Sequence, residues 1–258
     1  MEENIYGHKK KVEFILNAIK NYSISDSKPF SEIKVLDFGC GNGTAVSYEI
    51  AALGVQLTGI DFHSESIEFA RANNPFPNAK FIQGNEDTAS KLGEYFDIIV
   101  YSDIIEHLPD PELVMKKIGN VHRDGGIIVG SLPNGYGPFE VEKFIIKWTG
   151  LQWFVAKASR IKRTFANKGR EKIDRVPYNA ESSHCQFFRL RDFRTLLRDT
   201  GYDLLRLSNG AFLGGPLSEH FLGFGRFIDW NVSMADKLPP YLVSTWYFVA
   251  KKKQGARI

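Results

Sequence analysis

Residues 34–43, KVLDFGCGNG, decide how the first half of this chain is read. Lys34–Phe38 is an apolar run of strand length, and it ends in a loop with glycine at positions 39, 41 and 43. Glycines between a first strand and a helix let bare backbone approach a ligand, and the helix start offers free N–H groups. Downstream the chain alternates. Thr44–Leu53 reads as a helix stopped by Gly54, Val55–Ile60 as a second strand ending at Asp61, and Ser64–Ala72 as a helix with Ser64 at its N-cap. Lys80–Gln83 and Asp97–Tyr101 read as strands three and four. Pro111 opens a helix running to about Val121, and Gly125-Gly126 turns the chain into strand five, Ile127–Ser131. Strands alternating with helices imply right-handed crossovers and a doubly wound, Rossmann-like α/β fold, mostly parallel, with helices on both faces. Upstream, Val12, Ile15, Leu16 and Ile19 share one helical face, so residues 1–30 read as a helical cap on a core at 34–133.

The second half reads differently. Residues 134–258 hold 21 of the 34 aromatic residues. Residues 134–183 lack a strand–helix rhythm, and they read as an insertion within one domain. From residue 184 the alternation returns, with a helix at Asp192–Thr200, a strand at Tyr202–Ser208 and a last strand at Val243–Ala250, for seven strands in all. The composition is ordinary for a globular protein, at 43% hydrophobic and 24% charged with a net charge of +3, which excludes disordered, collagenous and disulfide-stapled classes. Cys40 and Cys185 are expected to be unbridged. The start, MEENIYGHKKK, has no signal-type apolar stretch, and no run approaches 18 apolar residues, so a cytoplasmic location is expected.

Charge indicates the ligand. Asp61, 22 residues after Gly39, is placed to accept hydrogen bonds from both ribose hydroxyls of a nucleoside. Asp37, Asp61, Asp87, Asp103 and Glu106 all fall at or just beyond the carboxyl ends of the strands, where open α/β sheets bind ligands. Such a ring repels a pyrophosphate but suits a ligand with an ammonium and a sulfonium. Thr44 also stands where a dinucleotide fingerprint has its third glycine, so S-adenosylmethionine is favoured over NAD.

These stretches, VLDFGCGNG, GID, FIQGNED, FDIIVYSDIIEHLPDPE and GGIIVGSLPNG, resemble the class I S-adenosylmethionine-dependent methyltransferases, nearest the branch of the ubiquinone-biosynthesis O-methyltransferases. The resemblance covers about residues 35–134, and HCQFF…LLRDTGY resembles the end of the same domain more loosely. It implies S-adenosyl-L-methionine as cofactor and S-adenosyl-L-homocysteine as product. Gly39, Cys40 and Gly41, with Asp37 beneath them, would meet the methionine end; Asp61 would hold the ribose and Phe62 stack on the adenine. Asn85 and Glu86 occupy the place where the family usually has Asp and a small residue beside the adenine amine, and the Asn carbonyl can also accept from that amine. Tyr101 and Ser102 would line the methionine side, and Asp103 would point into the reaction cleft.

For a hydroxyl acceptor the chemistry needs alignment, dryness and a base. His107 and His184 are the candidates. A carboxylate-x-x-Glu-His cluster binds magnesium in some relatives, but no metal is assigned here. The Asn/Asp-Pro-Pro-aromatic signature of base methylation is replaced by Ser102-Asp103-Ile104-Ile105, so no nucleic acid is expected. The acceptor is read as a small molecule or glycan precursor, methylated at a hydroxyl. N-methylation of a small amine and a non-catalytic binding scaffold are the alternatives. Residues 143–172 carry nine Lys or Arg against Glu171 alone, interleaved with aromatics. This segment reads as a lid, with Arg160, Lys162 and Arg163 meeting an anionic or amphiphilic acceptor and with peripheral membrane contact as a second role; a helical hairpin packed on the sheet flank with a solvated basic face is the alternative.

Overall fold

Period-two alternation of large apolar residues lets each central strand face two cores at once. The computed structural model describes residues 7–150, 185–215, 218 and 225–255. Its strands are β1 (Lys34–Phe38), β2 (Gln56–Asp61), β3 (Ala79–Gln83), β4 (Phe96–Ser102), β5 (His122–Pro133), β6 (Tyr202–Asn209) and β7 (Thr245–Lys252). They form one sheet in the order β3-β2-β1-β4-β5-β7-β6. Contacts from β3 to β5 are parallel, and β7 runs antiparallel to both β5 and β6. The expected strand at the carboxyl end of the chain therefore inserts beside β5 and leaves β6 at the edge.

The helices are α1 (His8–Ser25), α2 (Ser47–Ala51), α3 (Ser64–Ala72), α4 (Glu86–Ser90), α5 (Pro111–Gly119), α6 (Pro138–Thr149), α7 (Leu190–Asp199) and α8 (Gly225–Lys237). One face of the sheet gathers Val35, Leu57, Ile98, Val100 and Val129 under α1, α2 and α3. The other gathers Leu36, Phe38, Ile99, Tyr101 and Ile128 under α5 and α7. From α1, Ile15 and Ile19 are fully buried, each worth roughly 1.5–3 kcal/mol of burial. At the amino ends of the strands, both carboxylate oxygens of Asp97 accept from Lys28 Nζ at 2.7 Å, and its Oδ2 also accepts from the Lys34 N–H at 2.8 Å. That pairing anchors the edge opposite the ligand edge.

Several boundaries differ from expectation for local reasons. The helix after the glycine loop starts only at Ser47, because Asn42 Oδ1 accepts from both the N–H and the hydroxyl of Thr44 and holds the chain in a turn. His63 caps α3 in place of Ser64, its Nδ1 accepting from Ser66 N at 3.3 Å. β5 begins at His122, so Gly125 and Gly126 lie inside it; a Cβ on Gly126 would stand 2.5 Å from the His122 ring. The short α4 and the longer α8 had no clear sequence period. In the expected insertion, α6 turns Ile146 inward and leaves Val141, Phe144, Ile145 and Trp148 exposed. Arg160, Lys162 and Arg163 lie outside the described residues.

His122 has a measurable cost in acid. It is 1% exposed and its Nδ1 meets the Tyr202 hydroxyl at 2.9 Å. Burial, with Lys252 adding to it, pushes its pKa down from 6.5 to about 3. The unfolded chain therefore binds a proton below about pH 6.5 that the folded chain refuses. Stability from this residue is complete above that pH and lost as pH falls toward 3, at about 1.4 kcal/mol per unit. Denaturant titrations at pH 6.5 and 5 should differ by about 2 kcal/mol more in the wild type than in His122→Gln. Equal differences in the two proteins would remove His122 as the cause.

Candidate active site

The sheet order reverses between β1 and β4, and in doubly wound sheets that crevice is where ligands bind. The loop after β1 fills one side of it. Gly39, Gly41 and Gly43 have φ of 80°, 53° and 80°, the left-handed region that side chains avoid. A Cβ on Gly39 would sit 2.5 Å from Ile104 Cγ1, so the loop passes the chain after β4 only as bare backbone. Gly39 N and Cys40 N both donate to Ile60 O, at 2.8 and 3.1 Å, which folds the loop over the end of β2. Burial, then Asp37 and Asp61, push the Cys40 thiol up, leaving its backbone as the part able to serve a ligand.

Asp61 ends β2 and holds the loop in shape. Its Oδ2 accepts from Gly41 N and its Oδ1 from His63 N, both at 2.9 Å. Each oxygen keeps lone-pair capacity for a further donor. The neighbouring Phe62 ring is 62% exposed, open to stacking. Asp37 lies behind them, 2% exposed, accepting from the Ser47 hydroxyl at 2.5 Å. Burial first, and the charge of Asp61 after it, raise its pKa to about 6. Asp37 thus ties β1 to α2 and does not stand open toward the ligand.

The expected adenine contacts are differently engaged. Asn85 caps α4, its carbonyl accepting from Thr88 N and its own N–H bonding the Thr88 hydroxyl, both at 3.3 Å. Glu86 pairs with Lys117 of α5 at 3.3 Å, and Asp87 with the same lysine at 2.8 Å. The Asn85 segment still borders the site, since Gly84 N donates to Asp61 O at 2.9 Å.

β4 supplies the opposite wall. Tyr101 departs from the expectation that its side chain lines the cleft: it is fully buried, 6.1 Å ring to ring from Phe38, because strand alternation turns it to the α5–α7 core. Ser102, half-buried, reaches the edge in register with Ser131 of β5. Asp103 has φ 53°, unusual for a residue with a side chain. Its oxygens accept from Lys11 Nζ and from the Ser131 hydroxyl, each at 2.6 Å. Burial would raise this carboxyl, but Lys11 and Ser131 outweigh it and hold it below the usual range.

Glu106 and His107 follow in a short 3-10 turn. Glu106 is 2% exposed, and its Oε2 has no hydrogen-bond partner among the described residues. Burial, and then Asp103, push its carboxyl well up, favouring the neutral acid. His107 is 18% exposed with Nε2 3.9 Å from Glu106 Oε1, beyond hydrogen-bond range. His184 lies outside the described residues, but the N–H groups of Cys185 and Gln186 donate to Glu106 O at 2.9 and 3.0 Å. The chain leaving the insertion is thereby pinned beside His107. Among the described residues no three His, Cys, Asp or Glu side chains group to hold a metal ion.

The edge expected to show five open carboxylates is therefore largely compensated, and Lys11 and Ser131 are the partners that were missed. Ser131 was legible as the end of strand five opposite Ser102. Lys11 carried no signal, because its partner lies 92 residues away.

A family model described as a methyltransferase domain matches residues 9–207. The chain belongs to this family. Curated relatives include the ubiquinone biosynthesis O-methyltransferases of Mesorhizobium japonicum, 33% identical over 105 residues (40% of this chain, 41% of that protein), and of Xanthomonas euvesicatoria pv. vesicatoria, 30% identical over 114 residues (43% and 47%). The chain thus spans less than half the length of these relatives. Among solved structures, an S-adenosylmethionine-dependent methyltransferase from Mesorhizobium loti superposes with a TM-score of 0.57 at 14% identity, covering 95% of this chain and 100% of that one. Magnesium protoporphyrin IX methyltransferase from Synechocystis PCC 6803, solved with S-adenosylhomocysteine bound, gives 0.53 at 12% identity, covering 93% and 82%. At these identities the likeness is one of fold. S-adenosylmethionine is the cofactor of this class of methyltransferase domain, and the residues present fit it. A Cβ would clash with Ile104 at Gly39 and crowd Tyr48 at Gly43, so the loop is presented as backbone there; Asp61 has acceptor capacity to spare, and Phe62 offers an open ring face.

Proposed function

We propose that this chain transfers the methyl group of S-adenosylmethionine to a hydroxyl oxygen of a small-molecule or glycan-precursor acceptor. The observation that carries this reading is the placement of the part-exposed His107 in the turn just beyond β4, three residues after Ile104, whose side chain packs on the Gly39 loop, and within the residues matched to the methyltransferase domain. The backbone of Gly39, Cys40 and Gly41 holds the methionine end, Asp61 the ribose hydroxyls, and Phe62 covers the adenine. Asn85 and Glu86 border the adenine, with their side chains engaged in the cap and the Lys117 pair. Ser102 and the backbone of Tyr101 form the methionine-side wall. When bound, the sulfonium supplies an electrophilic methyl group and so carries the difficult chemistry. The chain's own tasks are to orient the acceptor, exclude water and take the hydroxyl proton. His107 accepts that proton at its imidazole, with His184 as the second candidate. Asp103, fixed by Lys11 and Ser131, acts as a stationary anion beside it. The basic, aromatic-rich stretch 143–172 and the exposed apolar side of α6 support an anionic or amphiphilic acceptor.

Titration calorimetry should find S-adenosylmethionine and S-adenosylhomocysteine bound at about micromolar Kd or tighter (~8 kcal/mol), with NAD unable to compete. Cofactor consumption should then be assayed across phenols, sugar nucleotides and phosphorylated metabolites. S-adenosylhomocysteine should form with a hydroxyl acceptor and not with its O-methylated counterpart. Turnover confined to amines would overturn transfer to oxygen.

A further inference from the structure

The first turn of α1 is fastened over the ligand edge. The Tyr247 hydroxyl donates to Gly7 O at 2.7 Å, and Lys10 Nζ donates to Asp236 at 2.6 Å and to Gly210 O at 3.4 Å. Lys11, whose side chain is only 13% exposed, meets Asp103 at 2.6 Å. Asp103 immediately precedes Ile104, the side chain pressed against Gly39. The Lys11 ammonium therefore stands one residue from the glycine loop. Its charge is felt beyond Asp103, since it also favours the ionised forms of Asp37 and Glu106. A fixed cation thus sits among the carboxylates that make this edge attractive to a positively charged ligand. The donor and the product differ by one positive charge, that of the sulfonium.

We propose that Lys11 sets the balance between the net-cationic donor and the net-neutral product, holding the site back from a strong preference for S-adenosylmethionine and keeping it accessible to S-adenosylhomocysteine. This rests on the cofactor reading above. Like charges repel through the intervening medium whether or not they touch, so Lys11 lowers donor affinity without a matching effect on product. Removing the charge shifts the ratio of the two affinities. Loosening α1 alone moves both affinities together and leaves the ratio where it was.

Calorimetry on the whole chain at low ionic strength, with S-adenosylmethionine and S-adenosylhomocysteine as probes, tests this. Lys11→Met should tighten the donor relative to the product by about 3–10-fold. Lys11→Arg, which keeps the charge, should leave the ratio within about twofold of wild type. Added salt should shrink the difference between the Met and wild-type ratios. Lys11→Gln gives the same readout should the methionine variant fail to fold. An unchanged ratio in a neutral variant that still binds both probes overturns the proposal. Wild-type protein binding neither probe would instead overturn the cofactor reading.

Discussion

Asp61→Ala is expected to weaken S-adenosylhomocysteine binding by roughly 30–1,000-fold. Two losses add. The ribose hydroxyls lose a charged acceptor, a loss of about 1.5–3 kcal/mol for the pair, since water partly replaces it. The N–H groups of Gly41 and His63 also lose their partner, so the loop that should meet the methionine end is no longer held. A total of about 2–4 kcal/mol corresponds to that range of Kd. Asp61→Asn keeps the volume and one carbonyl oxygen, and it should fall between the two. Thermal melting alongside calorimetry separates loss of the site from loss of the fold. Wild-type affinity in Asp61→Ala would remove this residue from the site.

His107→Ala should lower turnover on a hydroxyl acceptor at least ~100-fold, the scale of a lost general base, while product affinity changes by less than about twofold. The geometry separates the two roles. His107 lies in the turn beyond β4, outside the Gly39 loop, Asp61 and Phe62 that carry most of the proposed cofactor contacts, and outside the Tyr101–Ser102 wall. Its neighbour Glu106 is buried and favours the neutral acid, so it is not a fixed anion waiting to pair with an imidazolium. His107→Gln, which keeps hydrogen bonding but has no proton to exchange near neutral pH, should be as slow as the alanine variant. Normal turnover in both variants would transfer the role elsewhere, with His184 next to be replaced.

Much of the first half of the fold is legible because its signals are local. KVLDF, QLTGID and FDIIVYS are apolar runs bounded by turn residues, and they emerge as β1, β2 and β4 within a residue or two. Pro111 marks the start of α5, and the structure adds Asp110 as its cap, accepting from Leu113 N. The site's backbone is equally readable, since three glycines at alternate positions already require left-handed turns. What was not readable depends on partners distant in the chain. Glu86 and Asp87 are turned away by Lys117, about 30 residues on, and Asp103 is claimed by Lys11 of α1, 92 residues earlier in the chain. Asn85 is an intermediate case: its spacing from Thr88 is a capping signal, and the cap engages the same carbonyl that an adenine amine would use. Tyr101 is another, because the alternation that buries Ile99 also buries Tyr101.

The clasp between Tyr247 and Gly7 joins residues 240 apart in sequence. As the chain leaves the ribosome, α1 appears first but its anchor appears only with β7. β6, made earlier, also waits, because β7 must enter between it and β5. Contacts of such long span make late folding events slow. The helix that brings Lys11 to the glycine loop therefore docks among the last elements, so a nascent chain holds its strands well before it has a finished cleft. The finished cleft is, in that order of events, one of the last parts of the molecule to assemble.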